Sequence, residues 1–257
     1  MKAASQRAKA CSDAALPRLQ QRFRRLGYSE ADLTSALHYV TQEAPLLIHF
    51  KPQMGFGFFS TKTVLKAFLE DTHYRSTRET GIGGGARGVW REKRERILFA
   101  GLYLQDSSPF EHFKYGSLNV FKEPGGSAPR FGPCYIELKS DVMERCTFVY
   151  RPSFDDLHQV PGTRENFAHT LAEFDDKEIA CLVERRPFKL LNPTVGGDVL
   201  VEVQIHGPLE FKRDIKELRF PRSTKRKVQK RLQRSICANF KSDMLNSVNS
   251  KTVPALG

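Results

Sequence analysis

Glu202, Gln204 and His206 recur at every second residue in the run Asp198-Val-Leu-Val-Glu-Val-Gln-Ile-His-Gly-Pro208. Val199, Val201, Val203 and Ile205 fill the positions between them, and Gly196-Gly197 and Gly207-Pro208 bound the run. Such alternation predicts a strand that sends three polar side chains to one face and the valines and isoleucine to the other. A carboxylate, an amide and an imidazole in a row suit a reaction centre. On periodicity alone the plainer reading is a salt-bridged solvent face, because alternating strands commonly put their polar residues in water. A second carboxylate, Glu137, lies on the predicted strand Cys134 to Lys139, where a cross-strand ion pair is the plainer use. His49 stands alone on the otherwise apolar run Leu46 to Phe50. A histidine so placed is either a satisfied core residue or a ligand contact.

Several other chemistries are not supported. Gly81, Gly83 and Ala86 match G-x-G-x-x-A, but charged residues precede them and a loop follows where an acidic strand end belongs. The glycines therefore predict a loop able to approach a ligand closely, not a Rossmann turn. None of the seven histidines forms an HxxxH or HExxH pair, so no metal site is expected. Five cysteines without a CxxC indicate neither a disulfide framework nor a zinc knuckle.

The elements that must position these residues alternate irregularly. Leu19, Phe23 and Leu26 predict a first helix stopped at Gly27, and Ser29 caps a second with Leu33, Ala36, Leu37 and Val40 inside. Thr61 is expected to cap a helix burying Val64, Leu65, Phe68 and Leu69. Arg87 to Leu102 reads as a helix with Val89, Trp90, Ile97 and Leu98 inside, and another helix is expected from Thr163 with Phe167, Leu171 and Phe174. Strands are expected at Leu46 to Phe50, Tyr115 to Phe121, Cys134 to Lys139, Cys146 to Arg151, Val199 to His206 and around Ile215 to Phe220. Strands in succession, without strict β-α-β alternation, predict an α+β fold with a mainly antiparallel sheet.

Three parts are expected: a helical subdomain at 1–43, a body at 44–220 and a basic helix and tail at 221–257. Seven Lys/Arg oppose only Asp13 in residues 1–25, and twelve oppose only Asp214 and Glu217 in residues 212–241, so the net charge of +12 sits at the ends. Val228, Leu232, Ile236 and Phe240 lie four apart on the basic C-terminal segment, a stripe expected to dock on the body. Basic ends attract phosphates, acidic proteins or membrane surfaces without specifying which. They motivate a rival reading, a noncatalytic module binding nucleic acid or anionic surfaces. No apolar run is long enough to span a bilayer, and Met1 to Ala15 lacks the apolar centre of a secretory signal.

Several uncommon phrases occur in one order: Ile48-His-Phe-Lys-Pro52, the turn Glu79-Thr-Gly-Ile-Gly-Gly84 after Tyr74, Leu98-Phe-Ala-Gly-Leu-Tyr103, Lys114-Tyr-Gly-Ser-Leu-Asn119, Ala128-Pro-Arg-Phe-Gly-Pro-Cys134 and Val201 to Pro208. By these the chain resembles a bacterial and fungal group, described as a domain of unknown function, that is related to ADP-ribosyltransferases and includes effectors of intracellular pathogens. The resemblance implies a two-sheet core with NAD as substrate in the cleft between the sheets. It implies a mono-ADP-ribosyltransferase, a glycosyltransferase acting on a protein acceptor such as a host protein, with NAD hydrolysis as a side activity. Glu202 becomes the catalytic glutamate and Glu137 its reserve. His49 becomes the first-strand contact, and Arg75, Ser76, Arg78, Thr80 and Gly81 the element gripping the nicotinamide side. Tyr115, Asn119 and Arg130 come from the shared phrases, while Gln204 and His206 would hold the acceptor or a phosphate. Lys51 and Gln53 depart from the His and Asp of the group. Leu200, two before Glu202, departs from the Glu or Gln of arginine-specific transferases and leaves the acceptor residue open. A cytoplasmic protein, or one delivered into a host cell in virulence, is implied.

Overall fold

The computed structural model describes residues 2–55, 63–82, 89–99, 101, 108–153, 159–188, 200–221 and 230. They form an α+β fold around one seven-stranded antiparallel sheet. The strands are β1 (Leu46–Phe50), β2 (Lys114–Leu118), β3 (Cys134–Leu138), β4 (Cys146–Tyr150), β5 (Gly162–Thr163), β6 (Val201–Ile205) and β7 (Ile215–Arg219). Their order is β5-β4-β6-β2-β1-β3-β7, a continuous sheet where the resemblance implied two. The reason is that β2 bonds to both β1 and β6, which leaves no gap between the early and late strands.

Register divides the sheet into two unlike faces, because directly paired residues share a face. One face carries Ile48, Phe50, Ile136, Phe148, Val201, Val203 and Ile205, all buried in the main core. The helices α1 (Lys2–Arg25) and α2 (Glu30–His38) supply Leu19, Phe23, Leu33 and Ala36 to that same core. Ser29 caps α2 through a reciprocal pair of bonds with Asp32, as its spacing predicts.

The other face holds a row running Val149, Glu202, Ser117, Leu47, Glu137, Glu217 across β4, β6, β2, β1, β3 and β7. Thr147, Gln204 and Tyr115 form the next row. A smaller cluster of Leu98, Phe99, Phe113 and Val149 covers part of this face, with Leu98 at the end of α5 (Val89–Leu98).

Several expected boundaries move. Thr63, not Thr61, caps α3 (Val64–Glu70) by accepting from the Lys66 amide. Ile97 is exposed on α5 while Glu95 is buried, because that helix turns its Glu95–Leu98 side to the sheet. Thr163 belongs to β5, and the helix assigned to it is α6 (Ala168–Ala172), followed by α7 (Asp176–Val183) capped by Asp175. The glycines at 83–85 and the basic C-terminal helix, Lys230 apart, lie outside the described residues. Among the described residues no helix is long and apolar enough to cross a membrane.

Candidate functional site

Glu202 sits at the middle of the polar face, half-buried, on a strand whose other side is packed core. Its Oε1 accepts from Gln204 Nε2 at 2.9 Å, from Ser153 Oγ at 2.6 Å and from the Ser153 amide at 3.3 Å. Ser153 comes within reach because Arg151 turns the chain with a left-handed φ of 62° just after β4. Three donors on one carboxylate oxygen fix its orientation.

Gln204 and His206 share this face as the alternation requires, but neither meets solvent: Gln204 is 0% exposed and His206 6%. Phe99 and Phe113 pack against the His206 ring. Burial, with Arg145 and His112 nearby, pushes the imidazole down to about 3, so it is neutral at ordinary pH. Thr147 stands between the two, 2.9 Å from each.

A second buried carboxylate, Glu95, is 4% exposed and lies toward β2. Tyr115 Oη donates to it at 3.2 Å, and Arg78 Nη2 and His112 Nε2 lie 3.3 Å away. Sequence reasoning passed over Glu95 because it stands among six charged residues of α5, with nothing local to mark the one that points inward. Ser153 and Thr147 were also missed; Thr147 is the polar break in the apolar run Cys146 to Val149, a weak signal that was present.

The remaining predicted residues fall into two groups. Arg78 and Tyr115 meet on Glu95, and Tyr115 pairs across the ladder with Gln204. The others hold backbone, separate ion pairs or, for Arg130, an aromatic ring. Arg75 makes a two-pronged bond to Asp71 at 2.5 and 2.8 Å. Ser76 caps α4 (Thr77–Thr80) in a capping box with Glu79, Thr80 bonds back to the Ser76 carbonyl, and Gly81 ends the turn with φ 65°. Asn119 brackets Glu123, accepting from its amide and donating to its carbonyl. Arg130 is exposed with its guanidinium 4.5 Å from the Phe131 ring centroid.

His49 is buried with both ring nitrogens engaged by backbone: Nδ1 lies 2.8 Å from the Gly132 carbonyl, and Nε2 accepts from the Ala128 amide at 3.2 Å. It stitches the 126–132 loop to β1, which is the core-residue reading. Glu137 takes Lys216 Nζ at 2.6 Å, an ion pair across β3 and β7, while burial raises its carboxyl above the usual range. Three strand steps separate Glu137 from Glu202, about 14 Å at roughly 4.8 Å per step. Paired glycosidic carboxylates stand within about 10 Å, so these two do not work as a pair. A cavity of about 390 Å³ opens instead beside Glu137, lined by Gln42, Pro45, Lys139, Asp141 and Lys216 among others. Among the described residues no cluster of three or more His, Cys, Asp or Glu could hold a metal ion.

The model of a family described as "Protein of unknown function (DUF3626)" matches residues 46–181, from the first residue of β1 into α7, ending before β6. No curated protein matches the chain.

Proposed function

The chain belongs to this family of unknown function, matched over more than half its length, and for it we propose mono-ADP-ribosyl transfer from NAD to a side chain of a protein acceptor. The observation that carries the reading is Glu202: a half-buried carboxylate near the start of β6, gripped at one oxygen by Ser153 and Gln204. In this reading the bond between nicotinamide and ribose breaks with its electron pair leaving on nicotinamide. Positive charge grows on the sugar, and a fixed carboxylate hydrogen-bonded to a ribose hydroxyl stabilises charge that exists only in the transition state. The acceptor nucleophile then bonds to the anomeric carbon and releases its proton.

The likeness in sequence phrases supports the same reading, as does the sharing of one sheet face by the early histidine strand and the late glutamate strand. Arg78 and Tyr115, both anchored on Glu95, would bound the NAD site on the α5 side, with Ser117 beside Glu202. His49 acts through the loop it holds, which presents Arg130. Lys216 leaves Glu137 no part in the chemistry.

The test is incubation with labelled NAD and a cell lysate, wild type against Glu202→Gln. Wild type should label a protein band and release nicotinamide. Glu202→Gln, folded and still binding NAD, should lose about 10²–10³ in turnover, while Glu137→Gln keeps it. Full activity in Glu202→Gln, or no cleavage by wild type, overturns the reading.

A further inference from the structure

Three contacts run in series along the covered part of the polar face. His206 Nε2 lies 2.9 Å from Thr147 Oγ1, Thr147 Oγ1 lies 2.9 Å from Gln204 Oε1, and Gln204 Nε2 lies 2.9 Å from Glu202 Oε1. Thr147 and Gln204 have no exposed surface, so water does not complete these bonds from outside.

Proton counting sets the direction of the whole series. Glu202 Oε1 accepts from the Gln204 NH2, which turns the Gln204 carbonyl toward Thr147. That carbonyl only accepts, so Thr147 spends its single hydroxyl proton there. The remaining contact then takes its proton from the ring, and His206 carries hydrogen on Nε2. A neutral imidazole is what burial enforces at this position.

We propose that Thr147 is a positioning residue: its hydroxyl couples the Nε2–H of His206 through Gln204 to Glu202, and this one-way chain holds the carboxylate in a single orientation. Each donor in the chain is polarised by the one behind it, which strengthens the last bond on Glu202 Oε1. The catalytic consequence rests on the transferase reading. The chain itself does not, and its direction is a property of the folded protein alone.

The experiment uses the full chain labelled with ¹⁵N in histidine ring and glutamine side-chain nitrogens, with His206→Asn and Gln204→Ala assigning the two signals. At neutral pH His206 should show the Nε2–H tautomer. The Nδ1–H tautomer or an imidazolium overturns the chain whatever the protein's activity. Thr147→Val keeps the shape and deletes the hydroxyl, so the tautomer preference should weaken and the Gln204 NH2 signals should shift. Thr147→Ser should restore both, and unchanged Gln204 signals in a folded Thr147→Val overturn the coupling. In NAD cleavage, Thr147→Val should lower kcat about tenfold, the worth of one net hydrogen bond, with KM nearly unchanged, and Thr147→Ser should recover it. Wild-type kcat in Thr147→Val with the expected tautomer shift overturns the positioning role. If wild type cleaves no NAD, the transferase reading fails, and the NMR arms alone decide whether the chain exists.

Discussion

His49 carries its hydrogen on Nδ1, because the Ala128 amide already donates to Nε2 and the Gly132 carbonyl can only accept. Removing the ring strands a buried amide and a buried carbonyl at once. His49→Ala should therefore destabilise the protein by about 2–4 kcal/mol in urea unfolding, since each orphaned group costs about 1–3 kcal/mol. A change below about 0.5 kcal/mol, the size of an ordinary surface substitution, would show that loop water replaces the imidazole freely. That His49 is buried was legible from its apolar neighbours. Its partners were not, since both lie about 80 residues further along the chain.

At the scale of elements, the segment between β2 and β3 depends on how closely it approaches β1. Gly126 has φ 80°, and a Cβ there would stand 2.4 Å from His49 Nε2. Gly126→Ala must both strain the backbone and push the imidazole away from Ala128, at a cost of about 2 kcal/mol or more. Gly125 has no positive φ and open space around it, so Gly125→Ala should change stability by less than about 0.5 kcal/mol. Thermal unfolding of the pair checks the argument, and equal effects would refute it. The Pro- and Gly-rich composition marked this segment as a turn region. Which of its glycines needed to be glycine depended on a side chain from another strand.

Over the whole molecule, buried ionisable groups shape the response to pH. The folded His206 holds off its proton until about 3, whereas an unfolded imidazole takes one up near 6.5. Between those values the unfolded state binds more protons, so stability falls as pH drops through that window, by up to about 1.4 kcal/mol per pH unit. His206→Asn should be less stable at neutral pH and show a flatter acid profile, with the difference between the two curves closing toward pH 3. Parallel curves across pH 3 to 6.5 would mean that the ring is charged in the fold. Carboxylates contribute to both curves alike, and the comparison cancels them.

Period-two alternation in Val201 to Ile205 determined by itself that Glu202, Gln204 and His206 share a face and that the valines and isoleucine oppose them. Start and stop signals likewise determined that strands and helices follow in α+β order, and Ser29 with Asp32 placed the start of α2 locally. Nothing periodic could tell whether the polar face meets water or another layer. Only the tertiary structure decided that, by laying Phe99 and Phe113 over His206 and turning Arg151 so that Ser153 reaches Glu202. The three alternating residues thereby became unlike: two are sealed inside the fold, and one is half-buried. A strand's pattern is set by neighbours two residues away, whereas cover comes from segments about 50 to 100 residues distant, whose approach no local spacing records.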